Sequence, residues 1–279
     1  MPATFVVLWS TGFVGAKFGL PYAEPFTFLL IRFFCAAAIL GVAAVVVGAP
    51  WPRDPAQIGR IAAAGLMIHG IYLGGVFSSI AAGVPAGIAA LIVGLQPLLT
   101  AVAAPAYLGE RVSRRQWLGF GLGFVGVLLV VANKLSLRPA DIAGAGWAVA
   151  ALAGMTAGTL YQKRHGAGMH ICTGSAIQYA TVGLAYVPIA LFTETMRVEW
   201  TGAFVFALGW LILVLSIGAI SLLYLLIRRG AAARVASLFY LTPAVTAALA
   251  WMLFGETLGP PAIAGMAVAA VGVALVTRA

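Results

Sequence analysis

Apolar runs of about twenty residues follow one another along the whole chain, each cut off by a short polar break. Ten runs stand out, at 3–20, 26–48, 58–80, 84–107, 116–133, 144–162, 171–193, 204–227, 232–254 and 260–277. Each is long enough to cross a hydrocarbon layer about 30 Å thick. The breaks, such as "GAPWPRDPAQ", "GERVSRRQ", "KRHGAGMH" and "RRGAAAR", are too short to fold as separate domains. Alternating strands of about ten residues, the signature of a membrane β-barrel, do not occur. The pattern predicts an all-α integral membrane protein of ten transmembrane helices.

Composition strengthens this reading. The chain is 63% hydrophobic and 8% charged, against about 25% charged in soluble domains. The net charge of +9 would suggest nucleic acid if it were clustered, but it follows the loops instead. With a cytoplasmic N-terminus, eleven basic residues fall on the inner side: Arg53, Arg60, Arg111, Arg114, Arg115, Lys163, Arg164, Arg228, Arg229, Arg234 and Arg278. Lys17, Lys134, Arg138 and Arg197 fall outside, and Arg32 lies within the second span. This positive-inside bias puts both termini in the cytoplasm and reads the charge as a topology signal, with no nucleic-acid partner expected. The first span has no basic leader and no cleavage pattern, so it is expected to be retained. Cys35 and Cys172 both fall within spans, where packing is expected of them and a disulfide is not.

A second pattern lies over the first. "ALIVGLQPLLTAVAAPAYLGERVSRRQWLGFGLGFVGVLLV" from Ala90 and "ASLFYLTPAVTAALAWMLFGETLGPPAIAGMAVAAVGVALV" from Ala236 align without a gap at a shift of 146 residues. The matches include Pro97/Pro243, Thr100/Thr246, Gly109/Gly255, Glu110/Glu256, Gly119/Gly265 and Gly126/Gly272. "WSTGFVGAKFG" and "MTAGTLYQKRH" match at the same shift. The chain therefore divides into two five-helix units, 1–135 and 141–279. Five is odd, so the second copy enters the membrane from the opposite side. Inverted repeats of this kind recur in secondary transporters, which place the substrate site near the midplane between the halves.

The early "WSTGFVGAKFGL", the "FLLIRFF" of span two, and the Pro…Gly-Glu…Gly pattern in both halves resemble the EamA family of the drug/metabolite transporter (DMT) superfamily. Among bacterial members the chain is most similar to the aromatic amino-acid exporters (YddG-type). The resemblance implies a ten-helix inner-membrane exporter or exchanger of amino acids, metabolites or drugs. It also implies a central cavity formed mainly by spans 1, 3, 4, 6, 8 and 9.

The residues carry no enzyme chemistry. All seven acids, Glu24, Asp54, Glu110, Asp141, Glu194, Glu199 and Glu256, sit at or beyond span ends. No His/Cys spacing suits a metal, and no cofactor is expected. Without a mid-membrane Asp or Glu to relay protons, the chain reads as a facilitator or exchanger. His69 is the mid-span group to suspect if a pH gradient proves to drive flux. A lipid or lipid-linked sugar flippase and a proton-coupled antiporter are the alternatives.

Departures from the repeat select substrate-site candidates, because a site must fit an asymmetric solute. His69 and Tyr72 face one way at i, i+3, opposite Leu215 and Gly218 in the second copy. Gln96, Tyr224 and Tyr240 replace Thr242, Ser78 and Gly94. Trp9, Ser10, Trp147, Tyr161 and Gln162 on spans one and six are further candidates, with interfacial anchoring as the competing role for the aromatic ones. Pro97 and Pro243 are expected to kink their helices as paired hinges. Arg32 is expected to snorkel or to pair with Glu24, with a substrate carboxylate as the sharper alternative. Tyr179 and Tyr186 share a face of span seven, which is expected to be peripheral. Glu110 and Glu256 are expected to cap the helix that follows each, with gating as the alternative. Gly119 and Gly123 at GxxxG spacing predict close helix packing, or a homodimer contact, so a monomer or a homodimer is expected.

Overall fold

The computed structural model describes residues 1–84, 89, 92–131, 139–166, 168–254 and 259–278. The main helices are α1 (Pro2–Gly19), α2 (Pro25–Val46), α3 (Pro55–Ala81), α4 (Gln96–Leu108), α5 (Arg114–Val131), α6 (Pro139–His165), α7 (Ile171–Thr193), α8 (Gly202–Arg229), α9 (Ala232–Ser237), α10 (Thr242–Phe254) and α11 (Pro260–Thr277). Helices occupy all ten predicted spans, with α9 and α10 sharing the ninth. Gly255 and Glu256 lie outside the described residues, as does Gly87. Several helices begin on proline, which supplies a helical φ where no N–H is needed. Side chains assist at several starts. Asp54 accepts from Ala56 N at 3.0 Å, and Thr201 from Phe204 N at 3.2 Å.

Large apolar side chains cover the outside. Val46 is 78% and Phe192 88% exposed, a state that suits lipid and not water. α2, α3, α7, α8 and α11 are each long and apolar enough to cross a membrane. Helices related by the 146-residue shift pack against each other, α2 on α7 and α5 on α11. Glycines set the second contact. A Cβ on Gly119 would lie 2.6 Å from the Gly272 carbonyl oxygen, and one on Gly272 would lie 2.5 Å from Gly123 N. The small-residue stripe thus brings two helices of one chain backbone to backbone.

Two long helices change their winding. α3 opens to π-helical geometry over Leu66–Ile71, and α8 over Leu211–Ala219. The shift that aligns the two copies carries 66–71 onto 212–217, inside the second π segment. Spans four and nine break at paired positions as well. α4 starts at Gln96 and α10 at Thr242, the latter after a 3₁₀ turn, Leu238–Leu241. This corrects the expected kinks: Pro97 and Pro243 are each the second residue of a new helix, not a bend within a continuous one. Their missing N–H is then among the four initial donors that no helical carbonyl could serve.

Carboxylates tie the helix ends together. Glu194 accepts from Phe26 N and Thr27 N at 2.7 and 2.6 Å and from Thr27 Oγ1 at 2.7 Å, capping α2 from the α7–α8 loop. Glu24 accepts from Thr195 N and Oγ1, both at 2.7 Å, so it serves this loop and not Arg32. Glu110 does not cap α5, the next helix. Its oxygens accept from Ala232 N at 3.1 and 2.8 Å and cap α9 instead. Lys163 donates to the carbonyls of Ile227 and Gly230 at 2.7 and 2.6 Å, where the end of a helix dipole favours a cation.

Candidate functional site

The first π segment puts His69 in the middle of the bundle, fully buried. Its Nε2 lies 3.1 Å from Tyr224 Oη. Tyr224 donates its own proton to Gln178 Oε1 at 2.6 Å, and Gln178 Nε2 donates to Gln162 Oε1 at 3.1 Å. Since the tyrosine proton is used, His69 Nε2 must carry the hydrogen toward Tyr224. Nδ1 is then a bare acceptor, buried and without a partner among the described residues. A polar chain thus runs from α3 through α8 and α7 to α6.

The tyrosines of α7 complete the arrangement. A π turn shifts the helical hydrogen-bond register and leaves carbonyls in need of donors. Tyr186 Oη donates to Gly70 O and Tyr179 Oη to Ser216 O, each at 2.6 Å. Gly70 and Ser216 are equivalent positions of the two copies. Tyr179 also lies on the His69 ring, centroids 4.5 Å apart, and stacks on Phe33. Span seven is therefore not peripheral here. Both tyrosines are buried in the core, and Gln178, which the repeat comparison did not single out, joins His69 to Gln162.

Beside His69 a narrow cavity of about 40 Å³ lies between α1, α2, α3 and α8. Trp9, Tyr72 and His69 form its aromatic and polar wall, with Ile68, Val76 and Leu215 among its apolar positions. Trp9 and Tyr72 are stacked, centroids 6.2 Å apart and planes 16° from parallel. Arg32 on α2 also lines the cavity, which corrects the expectation that this helix stands aside. The residue does not snorkel. It is 3% exposed, and its Nε donates to Ser216 Oγ at 2.9 Å.

The other candidates lie elsewhere. Ser10 donates to Val6 O at 2.7 Å and Thr242 O at 3.3 Å, tying α1 to the start of α10. Gln96 is buried, with Nε2 on Thr100 Oγ1 at 3.1 Å. Tyr240 packs its ring on Gly123, and its hydroxyl has no partner among the described residues. Tyr161 lies against the His165 ring, and Trp147 is 46% exposed. None of these five lines the cavity. His69, Tyr72 and Trp9 do line it, together with Arg32, whereas Tyr224, Gln178 and Gln162 are joined to His69 only through the hydrogen-bond chain behind it. The detectable signal for Gln178 was an amide in an apolar span, a costly group to bury without partners.

The sequence pattern of the EamA-like transporter family matches residues 3–132 and 142–278. The chain belongs to this family. It is a multi-pass membrane transporter of small molecules and not an enzyme. It is 28% identical to a "Probable amino-acid metabolite efflux pump" of Salmonella typhimurium, over 93% of this chain and 88% of that one. It is also 28% identical to a "Probable terminal-alkyne amino-acid exporter" of Streptantibioticus cattleyicolor, over 98% of this chain and 91% of that one. A solved crystal structure superposes with a TM-score of 0.83 over 99% of this chain and 95% of its own, at 20% identity, and so shares the EamA fold.

Proposed function

We propose that this EamA transporter exports amino acids, aromatic and apolar ones above all, from the cytoplasm across the inner membrane. Its two five-helix units form inverted halves with both termini inside, and access to the central cavity alternates between the two faces. The observation that carries this reading is the wall of Trp9, Tyr72 and His69. Stacked aromatic surface beside a few fixed polar groups suits a solute with a small polar head and an apolar body. Two relatives that align over nearly the whole chain bear the names "Probable amino-acid metabolite efflux pump" and "Probable terminal-alkyne amino-acid exporter".

The moving parts are the π segments of α3 and α8 and the broken helices of spans four and nine. A segment outside regular α geometry re-forms its hydrogen bonds at lower cost than a continuous helix, and π turns frequently mark functional sites. The transport is facilitated or exchanged, not proton-driven. The chain leading away from His69 passes through Gln178 and Gln162, and an amide shares hydrogen bonds without taking up a proton.

The test is uptake of radiolabelled phenylalanine and threonine into liposomes holding only this protein, with and without a pH gradient. Saturable uptake that equilibrates and ignores the gradient is expected. Absence of uptake for every amino acid tried would remove the amino-acid reading, and lipid translocation in the same liposomes would replace it with a flippase.

A further inference from the structure

The cavity holds a guanidinium with no counter-ion among the described residues. Arg32 forms no ion pair among the described residues, and its one hydrogen bond there uses Nε. Its two terminal nitrogens have no acceptor among those residues. None of the cavity's lining residues is acidic. An arginine does not shed its proton to escape such a place. Burying a charge without an opposite charge is among the most expensive arrangements in a protein interior. The face of Phe33, 6.0 Å from the guanidinium carbon, offsets only part of that cost.

His69, on the wall of the same cavity, has the opposite deficiency: its Nδ1 is an acceptor enclosed behind the cavity surface, without a donor among the described residues. One wall thus offers a two-pronged cationic donor, His69 keeps a neutral acceptor just behind the surface, and Trp9 and Tyr72 supply aromatic surface between α1 and α3.

We propose that Arg32 and His69 Nδ1 together form the head-group site for an α-amino acid. The guanidinium takes the carboxylate through its free fork, and the imidazole nitrogen accepts from the ammonium. The fork matches a carboxylate in two parallel hydrogen bonds, which a lysine does not reproduce. Ser216 orients the fork through Nε and is itself on the second π segment. The head group would therefore touch both π-bearing helices, α3 through His69 and α8 through the Arg32–Ser216 pair. This deepens the amino-acid reading above and rests on it for the ammonium contact alone.

The experiment is thermal unfolding of purified protein in lipid nanodiscs with three probes: phenylalanine, 3-phenylpropionate, which lacks the ammonium, and phenylalaninamide, which lacks the carboxylate. Wild type is expected to be stabilised most by phenylalanine, less by 3-phenylpropionate and not by phenylalaninamide. Arg32→Met should weaken phenylalanine at least about thirty-fold, as loss of one member of a buried charge pair does. The same variant should unfold no earlier than wild type without ligand, since it removes an uncompensated charge. Arg32→Lys should retain part of the affinity, and His69→Leu should abolish the preference for phenylalanine over 3-phenylpropionate.

Stabilisation by phenylalaninamide equal to that by phenylalanine would overturn the proposal. So would phenylalanine binding that survives Arg32→Met, an Arg32→Met protein that unfolds markedly earlier when empty, or no stabilisation by any probe. Equal, Arg32-dependent stabilisation by phenylalanine and 3-phenylpropionate would retain the carboxylate site and overturn both the ammonium contact and the amino-acid reading.

Discussion

The π segments of α3 and α8 share a backbone and differ in chemistry. Each departs from α geometry at the same place in its copy, and in each a tyrosine of α7 binds the equivalent carbonyl, Gly70 or Ser216, at 2.6 Å. The first segment presents His69 to the cavity, and the second presents Leu215 at the matching position. The partners of His69 lie on one side only: Tyr224 and Gln178 serve it, and nothing polar serves Leu215. In the proposed arrangement of two inverted halves, both copies must yield in similar ways, and duplication would account for the paired π segments. The solute has no such symmetry, so its contacts are expected where the copies diverge.

Removing a π segment should have the largest effect. Deletion of Met67, or of Leu213 in the other copy, removes a residue that the wider π turn accommodates and returns that turn toward α winding. Both deletions should reduce amino-acid flux in liposomes to background. Should only the Met67 deletion do so, the second segment is dispensable and the two are not a pair.

Exchanging the chemistry should come next. Leu215→His buries an imidazole in an apolar position with no waiting partner, at a cost of about 1–3 kcal/mol. Thermal unfolding in nanodiscs checks this, and an unchanged midpoint would mean the second segment already offers polar groups.

The tyrosine bonds make a matched pair of effects of the same order. Tyr179→Phe and Tyr186→Phe each leave a buried carbonyl without its donor, costing about 1–3 kcal/mol. The two losses should be alike, and a large difference would show that the segments carry unequal strain. Gly218→Ala should do least. An added Cβ there meets nothing closer than 3.6 Å, so unfolding should move by no more than about 0.5 kcal/mol.

The ten spans were legible because lipid imposes one rule on every segment, and the repeat because Pro, Gly-Glu and Gly recur at one spacing. The placing of His69 and Tyr72 on one face was legible through helical periodicity and broken symmetry, whereas Trp9 was a candidate only by its place on span one. The π segments were not. Such a segment adds no polar residue and leaves an apolar run apolar, so nothing in "LMIHGI" or "LILVLSIGA" marks it. Tyr179 and Tyr186 were seen to share a face, but their task exists only once a π turn has freed a carbonyl. For Arg32 the sequence favours the interface, where a basic residue near a span end usually reaches, and leaves a carboxylate contact as the alternative. Only the tertiary fold shows it turned inward to Ser216. Glu110 shows the same limit: its partner, Ala232, is far away in sequence.

The most direct test compares uptake of radiolabelled phenylalanine by wild type and His69→Leu, which gives the first segment the chemistry of the second, at equal incorporation into liposomes. The account predicts saturable, equilibrating uptake by wild type, indifferent to a pH gradient. It predicts uptake slowed at least about ten-fold by the substitution, the effect of about 1.4 kcal/mol. Uptake left unchanged by His69→Leu would contradict it. So would uphill accumulation in wild type driven by the pH gradient and lost in the variant, which would make His69 a proton carrier.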